Sequence, residues 1–236
     1  MSAPSGPNTP SLYLYPYLLM NAESWDLLLR VGLLTTFKLS LLSILISLAL
    51  GTLVGVLRVS PVAPLRVLAA GYVEFFRNIP LLICFAFIYY GLPKAGITFP
   101  TFESGVIGLS VYTAAFVAEV VRAGLQSISH GQVEAARAIG LSYLQMLRLV
   151  LLPQVFRMVM PPLGTVFIAL VKNSSVASAI VVQEMMYQAE VIAGRYFYPN
   201  VFLIAGLLYL IITVPLAGLV NLAEQRLRIA GRGSHA

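Results

Sequence analysis

The sequence predicts an all-α polytopic membrane protein with about five transmembrane helices, and two observations carry that class. Charged residues make up 10% of the 236-residue chain and hydrophobic residues 59%, with a mean hydropathy of +0.88. Soluble domains usually carry about 25% charged residues. Several nearly uncharged runs reach about 20 residues, the length that crosses ~30 Å of hydrocarbon at ~1.5 Å per residue. A transmembrane barrel would show alternating segments of about ten residues instead, and none is visible.

The chain opens on MSAPSGPNTPSLYLYPYLLMNAESW, which lacks the basic start and unbroken apolar core of a cleaved signal. It reads as an extracytoplasmic lead over residues 1–26, and its later aromatic residues suit a membrane interface. The first span is expected over about Val31–Leu57, with Lys38 snorkelling to the outer interface. Arg58, Pro61, Pro64 and Arg66 then form a short basic turn, and a second span runs over about Ala69–Leu92. Glu74, Arg77 and, in the third span (about Gly105–Arg122), Glu119 read as interfacial anchors or ion pairs tying helices together.

A fourth span is expected to open near Pro153 and to reach at least Val171, with Pro161 and Pro162 inside it; a fifth covers about Val201–Leu222. An odd number of spans puts the termini on opposite sides, and the positive-inside rule chooses the orientation. With the N-terminus outside, Arg58, Arg66, Arg122, Arg137, Arg148, Arg157, Arg226, Arg228 and Arg232 gather inside, against Arg30, Lys94, Lys172 and Arg195 outside. The net charge of +6 is therefore membrane topology and does not imply nucleic acid. Residues 27–228 form one membrane domain, with residues 229–236 as a cytoplasmic tail.

No loop exceeds about 30 residues, too few to bury a core alone. There is no G-x-x-x-x-G-K-[ST], so the chain has no phosphate cradle of that kind. The lone Cys84 allows no internal disulfide, and His130 and His235 lack ligand-spaced companions, so no metal site is expected.

The stretch HGQVEAARAIGLSYLQMLRLVLLPQ, from His130 to Gln154, falls in the cytoplasmic segment 125–153. Ser129 precedes Gln132 by three residues and Ser142 precedes Gln145 by three, the spacing of a capping box at a helix start. Gly140 lies between, where a left-handed residue would close the first helix. A helix, a glycine turn and a second helix are expected, with Pro153 at the start of the next span. Glu134 and Arg137 are spaced to pair, a contact of a few tenths of a kcal/mol. The bland reading is an amphipathic connector on the membrane surface.

"EAARAIGLSYLQMLRLVLLP" resembles the EAA motif of bacterial ABC importer permeases through Glu134, Ala135, Ala136, Gly140, Leu152 and Pro153, with Val150 in place of the commoner isoleucine. "YVEFFRNIPLLICFAFIYYGLP" and "VYTAAFVAEVVRAGLQSI" are similar to the polar amino acid uptake permeases of the histidine/glutamate/glutamine type, and the resemblance covers about Leu27–Arg228. It implies the type I ABC importer permease fold in a bacterial inner membrane. The segment around Glu134, Ala135, Ala136, Arg137 and Gly140 would then be a coupling element seated in a groove on a cytoplasmic ATPase dimer. The resemblance further implies ATP and Mg on that partner with no cofactor on this chain, a second permease subunit (identical or related), and an extracytoplasmic substrate-binding protein. The chain itself would be no enzyme.

"LVKNSSVASAI" places Lys172, Asn173, Ser174 and Ser175 at the end of the fourth span, where a helix break would free further backbone groups. A zwitterionic amino acid needs a partner for each charge. Lys172 would take the carboxylate and Glu184 the ammonium, with Arg77 as a weaker third site. The KNSS stretch resembles the acidic (glutamate/aspartate) permeases. An ion-coupled secondary carrier is the alternative from another class, and it predicts paired repeats with broken helices, which the sequence lacks.

Overall fold

The computed structural model describes residues 20–227, all outside strands. The N-terminal lead before Met20, Arg228, Arg232, His235 and the tail 229–236 lie outside the described residues. Asn21 opens the first helix, α1 (Ala22–Leu57), by accepting from the Ser24 backbone N–H at 2.8 Å. This helix starts before the expected Val31 and includes a π-helical turn at Leu27–Leu33.

The second span is corrected. It consists of α2 (Ala63–Asn78) and α3 (Leu81–Ala95), bent by 108° at their junction. Pro80 is the cause: it lacks an N–H and its ring pushes the preceding residue out of the helical region. Ile79 accordingly sits at φ −101°, ψ 148°. Gly96, at φ 81°, ends α3.

The helix α4 (Thr101–Gln126) is the most buried span and packs along α1. Ser43 of α1 meets the Val106 carbonyl, Gly51 meets Ala114 and Val117, and Gly55 meets Ala118 and Val121. Both numberings rise together, so α1 and α4 run parallel. The chain must therefore return between them, and α2 with α3 make that return as one broken span. Five passes result.

Close approach of α1 and α4 rests on a stripe of small residues, Ser40, Ser43, Ser47, Gly51 and Gly55, all buried. Lipid tails are as apolar as leucine, so spans associate through tight packing and small residues permit it. Above the stripe lies a core of Leu39, Phe85, Leu109, Leu170 and Ile180; below it Val117, Val121, Val155, Val159 and Leu163 join α4 to the fourth span.

The connector comprises α5 (His130–Ala138) and α6 (Tyr143–Met146), which runs into α7 (Leu147–Ile180). Pro153 does not open the span as expected. Its missing N–H and its ring against the Leu149 carbonyl widen the preceding turn, Leu147–Leu151, into a π-helix. The α-helical part of α7 ends at Asn173, within the KNSS stretch as expected, and tightens into a 3₁₀ run at Ser174–Ile180.

Two non-glycine residues sit in the left-handed region: Val181, at φ 64°, closes the 3₁₀ run, and Phe197, at φ 56°, closes the short helix α8 (Met185–Tyr196). Such conformations cost about 1–3 kcal/mol each and persist where surrounding contacts enforce them. Here Thr36 Oγ accepts from the Met185 N–H at 3.0 Å, and Glu23 binds Arg195 and Tyr196 at 3.1 and 2.7 Å. The last helix, α9 (Val201–Leu227), is largely unburied and lies against α7 and α8.

Candidate functional site

The connector is closed by local hydrogen bonds at both of its turns. At its first turn the Gly140 N–H donates to the Arg137 carbonyl at 2.9 Å and the Leu141 N–H to the Ala136 carbonyl at 3.2 Å. That pair of bonds is a Schellman closure, and Gly140 at φ 80° supplies its left-handed residue. The second capping box forms as expected: Ser142 N–H donates to Gln145 Oε1 at 2.9 Å and Gln145 N–H to Ser142 Oγ at 3.4 Å.

The first capping box does not form. Ser129 makes no side-chain cap, and Gln132 is drawn instead to Gln154 of α7 at 2.8 Å. That contact braces α5 against the fourth span. Glu134 and Arg137 do not pair with each other either; among the described ion pairs neither takes part. Both point to solvent. Ala136 turns inward, 4% exposed, while Ala135, Ala138 and Gly140 stay exposed and Ile139 is 77% exposed. The outcome is a face of small and apolar groups flanked by one acid and one base, exposed among the described residues.

Behind this face, Glu119 of α4 gathers three guanidinium groups: Arg58 at the end of α1, Arg122 one turn along, and Arg77 of α2 at 3.9 Å. One carboxylate thus ties three helices at the end of the membrane domain that carries the connector. The ion-pair reading of Arg77 and Glu119 holds.

Between α4 and α7 lies a cavity of about 290 Å³, lined by Tyr112, Thr113 and Phe116 on one side and Thr165, Ala169 and Asn173 on the other. Arg77 stacks over the Phe116 ring at 5.8 Å. Of the residues expected at the end of the fourth span, Asn173 alone lines this cavity. Lys172 is exposed, Ser174 donates to the Val171 carbonyl and Ser175 to the Lys172 carbonyl, each at 2.7 Å. Sequence reasoning missed Tyr112, Thr113 and Thr165, because their proximity is a product of tertiary packing.

Glu184 does not line this cavity. It is fully buried, and its oxygens accept from the backbone N–H groups of Met186 at 2.9 Å and Tyr187 at 2.8 Å and from Tyr209 Oη at 2.7 Å. It caps α8 and ties it to α9, which leaves no oxygen facing a ligand. Burial pushes its carboxyl up to about 7, although the three donors favour the charged form. A carboxyl raised above its unfolded value of 4.5 contributes stability that is complete below that value and lost as pH rises through about 7. Thermal stability of the detergent-solubilised protein should therefore fall as pH rises from 4.5 to about 7, and Glu184→Gln should flatten that slope. An equal slope in the variant would assign the pH dependence elsewhere.

Residues 47–229 match the family described as the binding-protein-dependent transport system inner membrane component. A probable glutamine ABC transporter permease protein, GlnM of Bacillus subtilis (strain 168), is 42% identical over 83% of this chain and 91% of its own length. A glutamate transport system permease protein, GluC of Corynebacterium efficiens, is 37% identical over 80% of this chain and 90% of its own. Among solved structures, an amino acid ABC transporter described as crystallised with histidines superposes with a TM-score of 0.80 at 31% identity, covering 89% of this chain and all of that one. The MetNI methionine ABC transporter in an inward-facing form superposes at 0.73 with 24% identity, a likeness of fold.

Proposed function

The chain belongs to the family of binding-protein-dependent transport inner-membrane components, and from that membership we propose which of its surfaces carries each part of a transport cycle. It is the multi-pass permease subunit of an amino acid ABC importer of the inner membrane; it is not itself an enzyme, and ATP hydrolysis lies on a separate subunit. The ion-coupled carrier is set aside by the same membership.

The exposed face of Glu134, Ala135, Arg137, Ala138, Ile139 and Gly140 is the docking surface for that ATPase, and Ala136 anchors it from within. This assignment is supported by one observation above all: a doubly capped connector whose small and apolar residues stay exposed among the described residues. Closure of an ATPase dimer on Mg-bound ATP would draw two such projections together, one from each permease subunit. Gln132, held to Gln154, then passes the motion to α7, and the Glu119 cluster passes it to α1, α2 and α4. Binding of ATP and of a loaded external binding protein favours different states, which is what drives a two-state switch.

The connector lies inside and the N-terminus outside in this account, on the arginine distribution; residues 1–26 and 229–236 flank a single membrane domain. The cavity between α4 and α7 is the substrate contact of this subunit. Asn173, Thr113 and Thr165 offer neutral polar groups there, Tyr112 and Phe116 apolar walls. Lys172, exposed and next to Asn173 in the chain, and Arg77 over the Phe116 ring supply positive charge, which supports an acidic amino acid, glutamate or aspartate, as the cargo. The 42% identity to a probable glutamine permease favours the amide as a second reading.

Competition uptake in vesicles holding the whole importer separates the two. Lys172→Ala should weaken uptake of labelled glutamate about tenfold, the scale of one charge-assisted contact, and leave glutamine untouched. Asn173→Ala should weaken both. If neither variant changes either uptake, the cavity is not the substrate contact.

A further inference from the structure

A second cavity, about 470 Å³, opens beside the connector, between the turn that ends α1 and the start of α7. Its wall is apolar: Leu125 and Ile128 at the end of α4, Leu147 and Leu151 in the π-helical turn. Val133 of α5 closes it toward the projection, and Arg58 and Arg66 stand at its other side. The apolar wall lies where three spans end, at the level of a membrane–water boundary.

The charge balance there is uneven. Glu119 is one carboxylate shared by Arg58, Arg77 and Arg122, so that cluster keeps an excess of positive charge. Arg66 is exposed, faces no carboxylate among the described ion pairs, and spends one donor on the Ser60 carbonyl at 3.1 Å. The rest of its planar fork is free to meet a phosphate, the geometry for which guanidinium is best suited. A basic pocket between transmembrane helices on the cytoplasmic side, with an apolar wall, matches the chemistry of an anionic lipid headgroup and its chain.

We propose that this groove holds one anionic phospholipid of the inner leaflet, its phosphate on Arg66 beside Arg58 and an acyl chain against Leu125, Ile128, Leu147 and Leu151. The choice of leaflet rests on the orientation given above. A lipid seated there touches both the end of α1 and, through Val133, the connector. It would stiffen the joint through which motion of the projection reaches the spans, and so would make coupling respond to membrane composition.

The test uses the whole importer reconstituted in phosphatidylcholine nanodiscs with and without phosphatidylglycerol. Lipid retained after detergent exchange is measured by mass spectrometry, and a photoactivatable phosphatidylglycerol maps the contact. Crosslinks are expected on the peptides around Ile128 and Leu151. Arg66→Gln, an exposed substitution, should lower phosphatidylglycerol retention roughly tenfold, and Ile128→Trp, which fills the groove, should abolish the crosslink. Equal retention in Arg66→Gln, equal retention of phosphatidylcholine, or crosslinking of this groove to another protein subunit would each overturn the proposal. Failure of the permease assignment would show separately, as absence of a co-purifying ATPase.

Discussion

Replacing Gly140 by tryptophan is expected to leave the chain folded and inserted but to cut recovery of the partner ATPase at least about tenfold, with ATP-driven uptake lost. Two effects combine. At φ 80° any side chain other than glycine's is strained, by roughly 1–2 kcal/mol for an ordinary L-residue. A Cβ at this position would meet nothing within 4 Å, so the indole would not disturb the interior and would project from the docking face. The Schellman closure predicts a graded series. Gly140→Asn, which tolerates the left-handed region, should remain near wild type; Gly140→Ala should lie between; Gly140→Trp should fail. Pull-down of the ATPase with each variant, against equal amounts of membrane-inserted chain, reads the order. A tryptophan variant that binds and transports normally would remove the projection from the coupling pathway.

Gly51→Leu is expected to act in the opposite way, by preventing the bundle from forming. A Cβ on Gly51 would lie 2.5 Å from Val117 Cβ and 2.7 Å from the Ala114 carbonyl oxygen. The second neighbour is backbone, so relief requires α1 and α4 to separate along the stripe that holds them. Overpacking typically costs about 1–3 kcal/mol and more where the backbone must move, and in lipid no hydrophobic gain offsets the lost contacts. Low yield, aggregation on gel filtration and a depressed melting transition are expected. Gly71→Ala is the control, since a Cβ there meets nothing within 4 Å. Equal stability of Gly51→Leu and wild type would mean that α1 does not pack on α4 as described.

The class of the fold was legible because each crossing needs a long apolar run, and such runs survive any error in their ends. The ends themselves were less so. A run of apolar residues says where a helix enters lipid, and α1 and α7 both continue as helix beyond that point. The bend at Ile79–Pro80 had a clear local signal in Asn78-Ile79-Pro80, but hydropathy averages across a proline, and Ala69–Leu92 read as one straight span. The return of α2 and α3 as a bent pair became visible only through the parallel register of α1 and α4.

The connector was the most readable part of the site, since glycine at a left-handed closure and serine with glutamine at a cap act within a few residues of each other. Even there, one of two equivalent spacings misled. Gln132 had a competing partner in Gln154, distant in sequence, and took it. Glu184 shows the same limit from the other side. In the sequence a carboxylate near a polar stretch reads as a ligand group or as part of a hydrated loop, and its place as a buried cap depends on Met186, Tyr187 and Tyr209 converging on it. The cavity of Tyr112, Thr113, Thr165 and Asn173 joins two spans that no local pattern links.

The central claim is that this permease is driven through its connector by an ATPase on another chain, and a gentle detergent purification from the native membrane tests it most directly. Co-purifying chains are identified by mass spectrometry, and ATP hydrolysis and uptake are then measured after reconstitution. An ATPase bearing the phosphate-binding G-x-x-x-x-G-K-[ST] motif is expected in the preparation, with uptake that requires ATP on the connector side. A chain that purifies alone and transports amino acid without nucleotide would contradict it.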